Sequence, residues 1–338
     1  MRLHLGVWIV IVLVAFSLPS FADTDCDYRN YSTSLENDSD LTLGGGTDRF
    51  YSSGISFSYQ CFRDPDSTYL IDRLSNRLFN YLSPEPSNYF AIGFNIGQRL
   101  YTASDISLRP EEIDTSRDRP YAAWLFAELT TDTWSVNGTH LEQVFSVGCV
   151  GPCAQGESVQ QEWHELFGFP TPNGWDLQVE DQIALQYSFK YAIARHIWFP
   201  WLSLRPNVQA NLGSVFLDAG VGAELLIDPF HYFSEHSDNE IDRLRNAKKR
   251  SFKLYVVLQN DLKSIFYNGT LQGSMYDNDS PHTADPRFLL NETAIGLHVD
   301  YKRLSFRYRF VGRSTELEEQ SWKFWDHKYG SFDVSYRY

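Results

Sequence analysis

Past residue 22 this 338-residue chain has no apolar run near the roughly 20 residues that a membrane-spanning helix needs, which excludes a polytopic helical membrane protein. Methionine is scarce, at 2 residues, and so is basic charge: Lys and Arg number 29 against 43 Asp and Glu, a formal net charge of -14. An acidic balance of that size excludes generic nucleic-acid binding, which depends on cations meeting phosphate. Cysteine is confined to four positions. What the chain holds in excess is aromatic: 24 Phe, 20 Tyr and 9 Trp, far too many for a solvated, disordered chain. With so little Met, this composition points to β structure that has aromatics to place at an interface.

The first 22 residues read as a secretion leader. Arg2 gives a basic start, Leu5 to Phe16 is almost wholly apolar, and Ser20-Phe21-Ala22 is a small-x-small cleavage site ahead of Asp23. Removing residues 1–22 leaves 28 basic against 43 acidic residues in 23–338, a net charge of -15. Export agrees with the cysteines, which are expected to pair in an oxidising compartment. Cys26 and Cys61 lie at mirrored distances from residue 43.5, beside the Gly44-Gly45-Gly46 turn of an expected hairpin, and Cys149 and Cys153 form a C-x3-C pair. No further ligands stand near that pair at zinc spacing, so two disulfides are expected.

Alternation with period two runs through most of residues 23–338 and marks strands. Phe90-Ile92-Phe94-Ile96, Ile183-Leu185-Tyr187-Phe189-Tyr191 and Leu304-Phe306-Tyr308-Phe310 are the clearest cases. In a soluble sandwich the apolar face would meet a core; in a transmembrane barrel it meets lipid. Three features favour the barrel. Arg307 and Arg309 fall in mid-strand on the polar face, where a water-filled lumen tolerates them. His196-Ile197-Trp198-Phe199-Pro200-Trp201 resembles an interfacial girdle. The chain also ends on an alternating strand, Phe332-Val334-Tyr336-Tyr338, with a terminal aromatic like that of bacterial outer-membrane barrels.

The expected fold is all-β: one transmembrane antiparallel barrel of about 12 strands over residues 23–338, with a short helix in an outer loop. Strands are expected to begin near residues 28, 50, 88, 120, 139, 182, 200, 217, 251, 292, 303 and 329. An even count puts both termini in the periplasm. The outer loops then fall near 38–49, 101–119, 149–181, 213–217, 262–291 and 313–328. Two inner connections are long. Residues 62–87 contain an amphipathic helix from Tyr69 to Phe79, and 228–250 end in the basic run Lys248-Lys249-Arg250; both read as solvated periplasmic decoration.

Chemistry-bearing residues gather in the outer loops. The first carries Asn37-Asp38 and then Thr47-Asp48-Arg49-Phe50-Tyr51-Ser52-Ser53-Gly54. The second carries Arg109 and Arg117-Asp118-Arg119-Pro120-Tyr121-Ala122-Ala123-Trp124. In the third, Gly156 to Phe167 reads as a short helix with Gln160 and His164 four residues apart on one face, beside an apolar stripe of Val159, Trp163 and Phe167. Taken singly, these are also what a polar hairpin loop, a solvated rim and an ordinary helical histidine look like.

Taken in order, the segments resemble the bacterial outer-membrane lipid A 3′-O-deacylases. The resemblance runs through Asn37-Asp38, Thr47 to Gly54, Asp118 to Leu125, Val150-Gly151-Pro152, Gly156-Glu157-x-Val159-Gln160-x-x-x-His164 and Gly174-Trp175-Asp176-x-Gln178, and covers most of residues 34–180. Thr315-Glu316-Leu317-x-x-Gln320 continues it in the C-terminal half. The resemblance implies a calcium-dependent esterase of the bacterial outer membrane that removes the 3′-linked acyloxyacyl group of lipid A in lipopolysaccharide. It places the general base on His164, with Asn37, Ser52 and Gln160 at the site and Asp38 as a candidate Ca²⁺ ligand. Arg109 and Arg119 are candidates to hold a lipid A phosphate. The family's acidic residue six positions past the histidine is Pro170 here, so Glu162 or Glu165 would have to substitute. Two nucleophiles remain open, water activated by His164 or the hydroxyl of Ser52. An outer-membrane phospholipase and a non-enzymatic porin or adhesin are the alternative readings.

Overall fold

The computed structural model describes residues 26–38, 48–63, 69–230, 252–276 and 279–338. The leader, the Gly44-Gly45-Gly46 turn, Thr47 and the Lys248-Lys249-Arg250 run lie outside the described residues.

The strands are β1 (Tyr28–Asn37), β2 (Phe50–Arg63), β3 (Tyr89–Thr102), β4 (Ala122–Trp134), β5 (His140–Val150) and β6 (Gln182–Ala192). There follow β7 (His196–Phe199), β8 (Leu202–Gly213), β9 (Phe216–Ile227) and β10 (Lys253–Asn268). The last three are β11 (Leu289–Tyr301), β12 (Leu304–Arg313) and β13 (His327–Arg337). Each long strand pairs antiparallel with its neighbour around the wall, β1 pairs β13, and β6 pairs β8, so the sheet closes on itself. The short β7 continues β6 along the same partner, β8. The wall is therefore a closed barrel of twelve strands with one extra segment, and every expected strand start lies within three residues of an observed one. Among the described residues closure gives each long strand a partner on both sides, which is what lets strands sit in lipid.

The period-two pattern sorts inside from outside. Ser34, Ser56, Arg99, Tyr101, Glu128 and Ser146 line a polar cavity of about 480 Å³ in the lumen. Residues of the other parity, among them Leu35, Phe94, Phe145, Val147, Ile183 and Leu185, stand exposed on the outer surface. The arginines on the polar face behave accordingly: Arg309 lies 3.9 Å from Glu36, and Arg313 pairs with Glu292 at 2.6 Å. Both disulfides are present, Cys26–Cys61 and Cys149–Cys153. Tyr28 pairs with Phe62, so the hairpin is centred slightly beyond the expected point and Cys26 reaches Cys61 from just before β1.

Among the described residues, two helices of more than one turn lie in the connections between strands, α1 (Leu70–Leu82) at the inner end and α2 (Gly156–Phe167) in the third outer loop. A further single turn, α3 (Gly269–Gln272), lies in the fifth outer loop. The outer loops are tied together over the rim. Arg119 pairs with Glu316 at 2.9 Å, Gln320 donates to the Arg117 carbonyl, and Arg287 donates to the carbonyls of Leu317, Glu318 and Gln320.

Candidate active site outside the barrel wall

The site is built where the third outer loop folds back over the wall. Cys149 has the outward parity of Val147, and its bridge to Cys153 staples the turn that carries the chain outside. Gln155 then takes a left-handed conformation (φ 57°) and α2 begins. Gly156 seats the helix: a Cβ there would come within 2.4 Å of Ala123, 2.6 Å of Trp175 and 3.0 Å of Leu100, so only glycine permits this approach. Leu100 and Ala123 are register partners on β3 and β4, with the parity opposite to that of the lumen-lining Tyr101 and Trp124. The helix therefore lies on the outer face of the wall.

The helix buries a polar face. Gly156, Gln160 and His164, spaced by four, point inward, with Gln160 and His164 only 4% and 3% exposed. The apolar stripe points away from the wall: Trp163 is 52% and Phe167 53% exposed, with Leu166 and Phe169 also exposed. Trp163, Phe167 and Phe169 form a chain of ring contacts at 4.6 and 6.0 Å, and Phe169 meets the edge of His164 at 5.7 Å. An inward polar face and an outward aromatic face suit a helix whose outer side meets lipid.

His164 is held from both sides. The helix ends at Gly168 in the left-handed region (φ 72°), and the Phe169 N–H returns to the His164 carbonyl. The chain then curls so that the Pro170 carbonyl receives His164 Nδ1 at 2.5 Å. A carbonyl only accepts, so Nδ1 carries a proton and donates it to Pro170. Nε2 lies 3.4 Å from the Asp48 carboxylate. Pro170, at the position where the resemblance implies an acidic side chain, thus meets the imidazole through its backbone instead. Glu162 and Glu165 are exposed and neither takes that place; the carboxylate against His164 is Asp48.

Asp48 and Phe50 both hold positive φ, 53° and 63°. For residues other than glycine such backbone costs about 1–3 kcal/mol each and persists only where surrounding contacts impose it. Here the Asp48 carbonyl receives the hydroxyls of Ser52 at 3.1 Å and Thr102 at 2.6 Å. Ser52 sits at a bulge in the β2–β3 pairing, and its Oγ lies 2.5 Å from Thr102 Oγ1. Thr102 and Gln98 share the outward parity of Leu100; Gln98 donates to the Ala154 carbonyl at 2.6 Å. Asn37 has the outward parity of Leu35 and pairs with Ser53, while the Asp38 N–H donates to the Ser52 carbonyl.

The expected site residues are partly brought together. His164 joins Asp48, and Ser52 and Thr102 join the Asp48 backbone; Asn37 and Asp38 adjoin Ser52 through strand pairing. Gln160 engages the Trp175 indole N–H with its side-chain carbonyl at 3.0 Å and so fixes α2 to the buried Trp175. Arg109 is exposed in the second outer loop. Arg119 is 1% exposed, bonded to Glu316 and to the Thr270 hydroxyl at 3.0 Å, and stacked over Tyr101. Asp48 and Thr102 carry no expectation of their own from the sequence, although the alternation Phe94-Ile96-Gln98-Leu100-Thr102 already puts Thr102 on the outer face.

Calcium takes 6–8 oxygen ligands. Among the described residues no three His, Cys, Asp or Glu side chains stand close enough to share an ion. Asp38 accepts from the Arg49 N–H at 3.0 Å and lies 4.0 Å from His327.

Comparison with known proteins agrees with this architecture. The family model for outer membrane protein LpxR matches residues 7–338, and the chain belongs to that family. Among solved structures, LpxR from Salmonella typhimurium is similar at 21% identity and a TM-score of 0.68, over 91% of this chain and 99% of that one. The β domain of the Bordetella autotransporter BrkA is a weaker match, at 8% identity and a TM-score of 0.43 over 93% of this chain and 99% of that one. No curated protein matches the sequence. The chain is a bacterial outer-membrane protein.

Proposed function

We propose that this member of the LpxR family hydrolyses the ester that joins the 3′-acyloxyacyl group to lipid A in the outer leaflet. The observation that carries the reading is the place of His164: buried under α2, beside Asp48, on the lipid side of the wall rather than in the lumen. A lumen site would serve a dissolved solute. A site between wall and helix serves a lipid arriving sideways through the membrane, and the exposed Trp163, Leu166 and Phe167 offer its acyl chains an apolar surface beside the base.

In the reaction, the oxygen of water attacks the acyl carbonyl while His164 Nε2 takes its proton. The Asp48 carboxylate stabilises the imidazolium that results, and the Nδ1–H bond to Pro170 keeps the ring aimed. Asn37, on the same outer face, is the candidate donor to the tetrahedral oxyanion. Collapse breaks the bond to the sugar oxygen, which receives the proton from His164. The products are a free acyloxyacyl acid and a 3′-hydroxyl. Water is preferred to Ser52 as nucleophile because the Ser52 hydroxyl is engaged by Thr102 and the Asp48 carbonyl.

The phosphate-binding role rests on Arg109, since Arg119 is already buried and paired. The Ca²⁺ requirement that the resemblance implies, with Asp38 as a ligand, stays part of the proposal and is checked by activity in EDTA with and without Ca²⁺ restored. The deciding assay uses purified protein in detergent with lipid A and a glycerophospholipid side by side. Wild type should release the 3′-acyloxyacyl acid and His164→Ala should not; release of a glycerophospholipid chain instead would replace this reading with a phospholipase.

A further inference from the structure

Sequence patterning alone makes the first inner connection solvated, yet α1 is not. Its Ser75 hydroxyl lies 3.3 Å from Thr131 and 3.1 Å from Thr133, and it accepts from Gln143 at 2.7 Å. Thr131 and Thr133 have the parity opposite to lumen-lining Thr130 and Glu128, and Gln143 shares the parity of exposed Phe145. So α1 lies against the outside of β4 and β5. Arg63 anchors its start through Asp72 at 2.7 Å, and the Tyr191 hydroxyl donates to the Leu82 carbonyl at its end. Thr133, Leu141 and Tyr191 form one row across the register, just before β6 passes into the exposed Ile197, Trp198 and Phe199 of β7. The helix thus lies level with the inner aromatic girdle, where the periplasmic leaflet meets the wall.

Its faces are sorted for that position. Asp72, Ser75, Asn76 and Phe79 are buried against the wall, which hides Thr131, Thr133 and Gln143 from lipid. The opposite face carries Leu70, Leu74 and Tyr81, exposed by 64%, 53% and 86%, flanked on one side by exposed Arg73 and Arg77. Apolar residues edged by cations are what an in-plane interfacial helix presents to acyl chains and phosphates.

We infer that α1 is a docking surface for an anionic glycerophospholipid of the periplasmic leaflet, with Leu70, Leu74 and Tyr81 among its acyl chains and Arg73 and Arg77 on its phosphate. The inference is independent of the deacylase reading. It is tested on full-length protein in vesicles of phosphatidylethanolamine and phosphatidylglycerol. Spin labels at Leu70→Cys and Leu74→Cys should collide more with oxygen than with a water-soluble nickel chelate. Dominant nickel collisions at both positions would return the helix to solvent and overturn the proposal. In native mass spectrometry, Arg73→Gln/Arg77→Gln should retain less phosphatidylglycerol than wild type. Equal retention would overturn the headgroup contact. Both arginines are exposed, so neither result depends on refolding.

Discussion

Two helices lie on the outside of one barrel wall, near opposite ends, and both turn mostly polar residues toward it, with Phe79 of α1 the apolar exception, and expose apolar residues on the other side. In α1 the buried polar residues are absorbed by the wall: Ser75 is bonded to Thr133 and Gln143, and Asp72 to Arg63. In α2 one of them is not. Gln160 is tied to Trp175, but His164 keeps Nε2 turned toward Asp48, with Nδ1 fixed by Pro170. The same inverted amphipathicity therefore makes a membrane contact at the inner end and a reaction site at the outer one. What separates them is a single buried titratable side chain whose second nitrogen is not consumed by the scaffold.

The comparison breaks most completely at His164. Replacement by Ala should lower deacylation about 10²–10⁴-fold, the usual contribution of a general base, with the barrel still assembled; the rate on purified lipid A checks this. Next in size is the seat of α2. Gly156→Val forces a side chain onto Ala123 and Trp175 and should cost about 1–3 kcal/mol locally. Limited proteolysis should then cut the third outer loop while the wall stays intact. Asp48→Asn keeps the shape and removes the charge, and should slow turnover about tenfold, the equivalent of roughly 1.4 kcal/mol. Trp163→Ser with Phe167→Ser should raise KM for lipid A in mixed micelles and leave a short, soluble ester unaffected. Smallest of all, Leu70→Ser with Leu74→Ser in α1 should leave deacylation unchanged, because that helix has no part in the chemistry.

Much of the fold is legible in the sequence, for a physical reason. Alternation is imposed on every strand by the two solvents the wall separates, so strand starts can be read to within a few residues. The helix from Gly156 to Phe167 is legible too, as is the shared face of Gln160 and His164. The direction of that face is not, since a helical stripe does not say which side meets the wall. The partners of His164 are hidden for different reasons. Asp48 reaches it from the first outer loop, at a distance that strand counting cannot give, and position 170 acts through a carbonyl that every residue possesses. The inner helix is legible as amphipathic but not as wall-bound, because Thr131, Thr133 and Gln143 reveal a polar seam on the outer wall only once the register is known.

The most direct test of the central claim is mass spectrometry of lipid A extracted from Gram-negative cells expressing the wild type or His164→Ala. The account predicts a loss equal to the 3′-acyloxyacyl group in the wild-type sample and full-length lipid A with the variant, both proteins being present as folded barrels in the outer membrane. Identical lipid A from both, together with a purified wild-type protein that is inactive on lipid A in detergent, would contradict it.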